Sequence, residues 1–126
     1  ACMDRQTTLR AVKKSGMPKL TPYTITDMVT LESEFAKIRE QGYAIDQEES
    51  VKGACCIGAP VRDYTGAVVA SISASLVTDH FMRWNESRLA SVIKSAAAEL
   101  SSAIGYEAKP LPSLMMPPRR MAAGRG

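Results

Sequence analysis

The apolar positions of this chain change their period several times. From Met28 to Gln41, Leu31, Phe35 and Ile38 recur at helical spacing while Glu32, Glu34, Lys37, Arg39 and Glu40 point elsewhere. That pattern predicts an amphipathic helix with one packing face. Asp27 stands where an N-cap belongs, and Gly42 where a left-handed C-terminal stop belongs. The period then falls to two. "YAID" (Tyr43 to Asp46) predicts a short strand, "QEESVKG" a polar loop, "ACCIGAPV" a strand of small residues and "AVVASISAS" a third strand. Between the last two lies "DYTG", whose aspartate opens a turn and whose glycine tolerates the positive φ that closes it, so these strands form an antiparallel hairpin. The helical period returns in "TDHFMRWNESRLASVIKSAAAELSSAIGY". Asn85 caps it, Leu89, Val92, Ile93, Ala96, Leu100 and Ile104 make its apolar face, Gly105 ends it, and Trp84 is placed to act as a hydrophobic staple.

The N-terminal segment is weaker. "MDRQTTLRAVKKSG" predicts a short helix with Leu9 and Val12 on one face and Gly16 as its stop. "MPKLTPYTITD" predicts an extended linker because of Pro18 and Pro22, with threonines that bond the local backbone. Three strands with two strong helices define an α+β body. The sheet is thin beside the usual complement of about 5–6 strands. With an opening that lacks methionine, this reads as the inside of a longer chain, with further strands on its N-terminal side.

Composition adds a boundary. After Tyr106 the chain turns to Pro110, Pro112, Pro117 and Pro118 among Ala, Gly and Arg, which supply no buried face. The expected organisation is a folded body over 1–106 and a disordered Pro/Arg-rich tail over 107–126. Four of the 16 basic residues but one of the 13 acidic ones lie from Glu107 onward, so the net charge of +3 belongs to the tail and the body is neutral. A neutral body offers no electrostatic footprint for nucleic acid. No apolar run is long enough to span a membrane, and no secretory signal opens the chain. Cys2, Cys55 and Cys56 are too few for a disulfide scaffold, which points to a reducing, cytoplasmic setting.

The candidate chemistry sits in the hairpin. Ser71, Ser73 and Ser75 share one strand face, while Ile72, Ala74 and Leu76 share the other. A two-sided sheet with its polar face in water explains that pattern, and so does a row of hydroxyls lining a concave site. Register decides the neighbours. If Asp63 pairs with Gly66 and no bulge follows, Cys56 faces Ser73 and Gly58 faces Ser71; a bulge at Gly66 places Cys56 opposite Ala74. In the first case Cys56, Gly58 and the serines form a small-residue hollow that a neighbouring element or a ligand must fill. Asp46 can reach its rim, or serve as an exposed turn residue beside Glu48 and Glu49. Enzymatic and metal readings are weaker. His80 is the only histidine available to activate a cysteine, Cys55 and Cys56 point to opposite faces, and no zinc spacing, nucleophile elbow, Walker motif or dinucleotide fingerprint occurs. No cofactor and no metal is expected.

In order and spacing, "LTPYTITD", "LESEFAKIREQGYAIDQEE", "GACCIGAPVRDYTGAVVASISAS" and a closing helix ending "AIGY" resemble the IclR-type bacterial transcriptional regulators over about residues 3 to 106. The resemblance implies the C-terminal portion of a GAF-like effector-binding domain: a partial antiparallel sheet with flanking helices. It implies a small organic acid or related metabolite as effector, and operator DNA bound only through a winged helix-turn-helix absent from this chain. It also implies a homodimer or homotetramer and no catalysis. Matched residue by residue, the family's pocket lining falls on Asp46, Cys56, Ser73 and Ser75, which favours the register that puts Cys56 beside Ser73. Ala54 and Cys55 stand where the family more often has bulkier or basic residues. The alternative is a DNA-free oligomerisation or interaction module that associates with intact regulators.

Overall fold

The structure is a computed structural model and describes residues 1–108. The expected disordered tail therefore lies, beyond Ala108, outside the described residues. Four helices and three strands follow one another as α1 (Arg5–Ser15), α2 (Met28–Gln41), β1 (Ala44–Gln47), β2 (Ala54–Arg62), β3 (Val68–Val77), α3 (Thr78–Arg83) and α4 (Glu86–Ala103). The strands form one antiparallel sheet in the order β1-β2-β3.

The predicted caps are in place for physical reasons visible in the side chains. The Asp27 carboxylate accepts from the Thr30 N–H at 2.8 Å and opens α2; Gly42 closes it in the left-handed conformation at φ 82°. The Asn85 side chain accepts from the Arg88 N–H at 3.3 Å and opens α4. Asp4 does the same for α1, accepting from the Thr7 N–H at 2.9 Å. Trp84, half exposed, lies beneath the Arg88 guanidinium, 5.9 Å from its ring centroid. One turn of helix, α3, interrupts what the sequence pattern reads as a single approach to α4. It is set apart by the extended Trp84 and the Asn85 cap, and it drives Phe81 into the core.

The core lies on one face of the sheet only. Along β2 the side chains alternate between half-buried and buried, with Cys55, Ile57, Ala59 and Val61 sealed. Across the hairpin these pair with Leu76, Ala74, Ile72 and Ala70. Helix α4 covers that face with Ala90, Ile93 and Ala97. Ser101 completes the seam. Buried in α4, its hydroxyl donates to the Ala97 carbonyl at 2.6 Å and accepts from the Arg62 N–H at 2.9 Å, so one oxygen ties the helix to the end of β2. By contrast, α1 and α2 contribute no fully buried residue.

The register differs from both sequence-based pairings. Asp63 donates to Ala67 at 3.0 Å, and Gly66, at φ 84°, donates back to Asp63 at 2.9 Å. Gly66 is thus an extra residue at the turn. A second irregularity falls between Val61 and Arg62: Arg62 pairs with Val68 but Val61 with Ala70, leaving Val69 over. Two one-residue shifts add to two. Cys56 therefore faces Ser75, not Ser73, and Gly58 faces Ser73, not Ser71, while every side chain keeps its expected face.

Ile57, with no exposed surface at the centre of this core, tests the packing. Ile57→Ala is expected to lower unfolding free energy by about 2–5 kcal/mol, measured by urea titration of the 126-residue chain. A loss below about 1 kcal/mol would contradict the sealed face.

Candidate functional site

The outer face of the sheet, opposite the core, gathers all four sequence-predicted residues. Asp46, Cys56 and Ser75 form one cross-strand row, because Asp46 pairs with Cys56 and Cys56 with Ser75. The Cys56 Sγ and Ser75 Oγ are 3.1 Å apart. The next row holds Ala44, Gly58 and Ser73, and the row beyond it Pro60 and Ser71. Gly58 keeps the middle row open, since a Cβ there would come within 3.3 Å of the Ser73 Cβ. Ser73 and Ser75 are exposed, Cys56 half-buried. Cys56, Gly58 and the serines thus share one face in adjacent rows, exposed at the serine end.

Asp46 is committed to the adjoining loop. Its Oδ1 accepts from the Glu49 N–H at 2.7 Å and its Oδ2 from the Ser50 hydroxyl at 2.5 Å. The same loop is gripped from the far side of the chain. The Thr21 hydroxyl, buried, donates to the Glu48 carbonyl at 2.6 Å, and the Thr24 hydroxyl donates to the Glu49 carbonyl at 2.6 Å. Thr78 donates to the Glu48 carboxylate at 2.7 Å. Glu48 itself sits at φ 61°, a conformation that costs a non-glycine residue free energy and persists when surrounding bonds over-determine it. Sequence reading assigned the threonines of "LTPYTITD" to local backbone bonds. They make those bonds, Thr24 Oγ1 accepting from the Leu20 and Thr21 N–H groups at 3.1 and 2.9 Å and Thr21 Oγ1 from the Tyr23 N–H at 3.1 Å. They are also struts between segments 27 and 25 residues apart, a role only the tertiary structure reveals.

Cys55, buried on the core face, places its Sγ 3.6 Å from the Thr78 hydroxyl, so the two neighbouring cysteines serve opposite sides of the sheet. Among the described residues no three His, Cys, Asp or Glu side chains converge as metal ligands.

A larger feature continues from this face. Between α1, α2 and the outer face lies a cavity of about 1160 Å³, walled by Leu9, Met28, Phe35, Ile38, Tyr43 and Pro60, with Gly58, Ser71 and Arg62 on its floor. It shares Gly58 with the middle row of that face. Sequence reading missed it, because α1 and α2 stand off the sheet rather than packing on it.

An α+β domain with its core on one side of an antiparallel sheet and a face of small hydroxyl- and thiol-bearing residues on the other has the build of a GAF-like effector-binding domain. The chain belongs to the IclR family: the family model "Bacterial transcriptional regulator IclR C-terminal" matches residues 1–102. The chain is 36% identical over 104 residues to the HTH-type transcriptional repressor AllR of Escherichia coli K12, covering 79% of this chain and 36% of AllR. It thus spans about a third of the length of that curated relative. The C-terminal domain of the E. coli transcriptional regulator KdgR superposes with a TM-score of 0.73 at 33% identity, over 82% of this chain and 63% of that one. The inducer-binding domain of PobR from Acinetobacter, solved as a double mutant with 3-hydroxybenzoic acid, superposes with a TM-score of 0.69 at 28% identity, over 79% of this chain and 57% of that one. No described helix is long and apolar enough to cross a membrane.

The rim loop carries a pH signature. Burial, and then the charge of Asp46, hold the Glu49 carboxyl above its ordinary value of 4.5. A raised folded-state pKa means the native chain binds that proton more tightly than the unfolded chain does. The stability it contributes is full below the unfolded value and is lost as pH rises through the folded one. Glu49→Gln is therefore expected to raise the melting temperature at pH 7, with the gain over wild type shrinking below pH 4. A variant less stable at neutral pH would show that Glu49 is not strained by its surroundings.

Proposed function

We propose that this chain is the metabolite-sensing domain of a cytoplasmic bacterial transcriptional regulator, and that it binds a small organic acid on the outer face of its sheet without transforming it. One observation carries the reading: Asp46, Cys56, Ser73 and Ser75 occupy adjacent rows of a single face, exposed at Ser73 and Ser75, with Cys56 and Ser75 in contact. The Ser73 and Ser75 hydroxyls donate to ligand oxygens, and Cys56 supplies a small, polarisable wall. Asp46 acts as a positioning residue, since both its oxygens already hold the rim loop. Operator binding is assigned to a winged helix-turn-helix outside the region matched here. The effector acts by favouring one of two arrangements of the intact regulator, which requires unequal affinity for them. The relatives support this reading: AllR is by name a helix-turn-helix repressor, and a PobR domain of the same fold holds an aromatic acid.

A second reading, a DNA-free module that associates with other copies or with intact regulators, is favoured by the edge of the sheet. Among the described residues β3 has no strand on its far side, and its ten residues contain neither charge nor proline. The Thr78 N–H donates to Gly53. By the alternation of an antiparallel ladder, the backbone groups of Ser71, Ser73, Ser75 and Val77 then point to the open side. Such an edge is a template for another strand.

Titration calorimetry with pyruvate, lactate and 3-hydroxybenzoate tests the first reading. Ser73→Ala with Ser75→Ala is expected to weaken the bound acid about tenfold, from two lost hydrogen bonds of roughly 0.5–1.5 kcal/mol each. Binding unchanged when Asp46→Ala is added would defeat the site. Sedimentation tests the second. Ser71→Pro removes an outward N–H without touching the β2 ladder, and is expected to convert an associated species to monomer. A wild-type chain that is monomeric throughout would dismiss edge pairing.

A further inference from the structure

The cavity beneath α1 and α2 has a chemistry of its own. Its walls are apolar, and among its lining residues are three arginines and one carboxylate. Two of the arginines are occupied. Arg5 is paired with Glu32 at 2.7 Å, and Arg39 donates to the Ala1 carbonyl at 3.1 Å. Arg62 is different. It is half-buried, and one guanidinium nitrogen donates to the Gly66 carbonyl at 2.9 Å, which fixes the head group. Among the described residues no carboxylate pairs with it. It also lies opposite the irregularity in β3, pairing with Val68 just before the unpaired Val69. A fixed guanidinium keeps most of its five donors for a carboxylate, which it meets with two parallel bonds.

We propose that this cavity is a second binding site, specific for a monoanionic carboxylate with a bulky apolar body, with Arg62 as the carboxylate anchor and the faces of α1 and α2 as the hydrophobic wall. The volume of about 1160 Å³ lies just above the usual span for small-molecule sites, roughly 300–1,000 Å³. It suits an aromatic or medium-chain acid rather than a two- or three-carbon one. Arg62 is six residues along the strand from Cys56, about 20 Å, and four from Gly58, which faces Ser73, about 13 Å. A small acid held at the serine row does not reach Arg62, so the two sites are separable.

The test uses 2-naphthoate and its neutral analogue 2-naphthamide, titrated into the 126-residue chain by fluorescence and calorimetry. The wild type is expected to bind the acid about tenfold or more tightly than the amide, the worth of a charge-assisted pair. Arg62→Gln is expected to abolish that preference while leaving amide binding in place, and Ser73→Ala with Ser75→Ala to leave the preference intact. Equal binding of acid and amide by the wild type, absence of naphthoate binding, or an unchanged preference in Arg62→Gln would overturn the proposal. Loss of the preference on serine substitution alone would also overturn it, while leaving the sensor reading standing. Because the acid–amide comparison is made within one protein, it holds even where Arg62→Gln disturbs the turn.

Discussion

Between Cys55 and Val61 every second side chain of β2 is sealed beneath α4, and this leaves Cys56, Gly58 and Pro60 no choice of face. The strand is central, so its parity is imposed on both neighbours. β1 must bring Asp46 beside Cys56, and β3 must bring a serine there. Core and candidate site are two readings of one alternation. A slip of one residue would expose Ile57 and bury the serines together, a cost set by several apolar side chains at once. The arrangement of the outer face is therefore held in place by hydrophobic burial on the opposite side of the sheet.

The hairpin shows how that constraint overrides local turn chemistry. "DYTG" made the turn legible, and Gly66 made a bulge foreseeable. Taken alone, the Gly66 bulge would set Cys56 against Ala74 and turn the serines toward the core. Val69 corrects it. A second extra residue restores the parity, and Ile72, Ala74 and Leu76 return to the covered face. Nothing in the local sequence marks Val69 for this, since the reason lies in what α4 covers. Pairing partners were thus misjudged by two residues while the composition of the face was read correctly.

A similar division runs through the rest of the chain. Caps at Asp27 and Asn85, the stop at Gly42 and the amphipathic helices were legible because each depends on residues within one or two turns. What escaped the sequence depends on distant contacts. Ser101 reads as one more small residue in a helix of alanines and serines, yet its hydroxyl joins α4 to Arg62. Thr21 and Thr24 read as linker residues, yet they hold the acidic loop against the sheet. α3 is a single turn whose identity comes from Phe81 finding the core. The IclR resemblance rested on these same segments, so it conveyed the face and its four polar residues but not the struts that fix them.

The charges along the outer face are not evenly spread, and this bears on what can bind where. Asp46, Glu48 and Glu49 crowd the loop beside Cys56 and Ser75, and Glu49 is harder to ionise there partly because Asp46 is charged. Arg5, Arg39 and Arg62 line the cavity at the other end. For an anion entering over the sheet, the electrostatic energy falls toward Arg62 and rises toward the acidic loop. Hydroxyl donors at the serine end must offset that repulsion for a carboxylate to settle there, whereas a hydroxyl or keto oxygen meets no such penalty. A hydroxy acid satisfies both chemistries when its alcohol faces Ser73 and its acid group turns toward the cavity. Polarity along one strand face would thus orient a ligand at the proposed site before any specific contact forms, and that polarity follows from which residues β2 was free to leave off the core face.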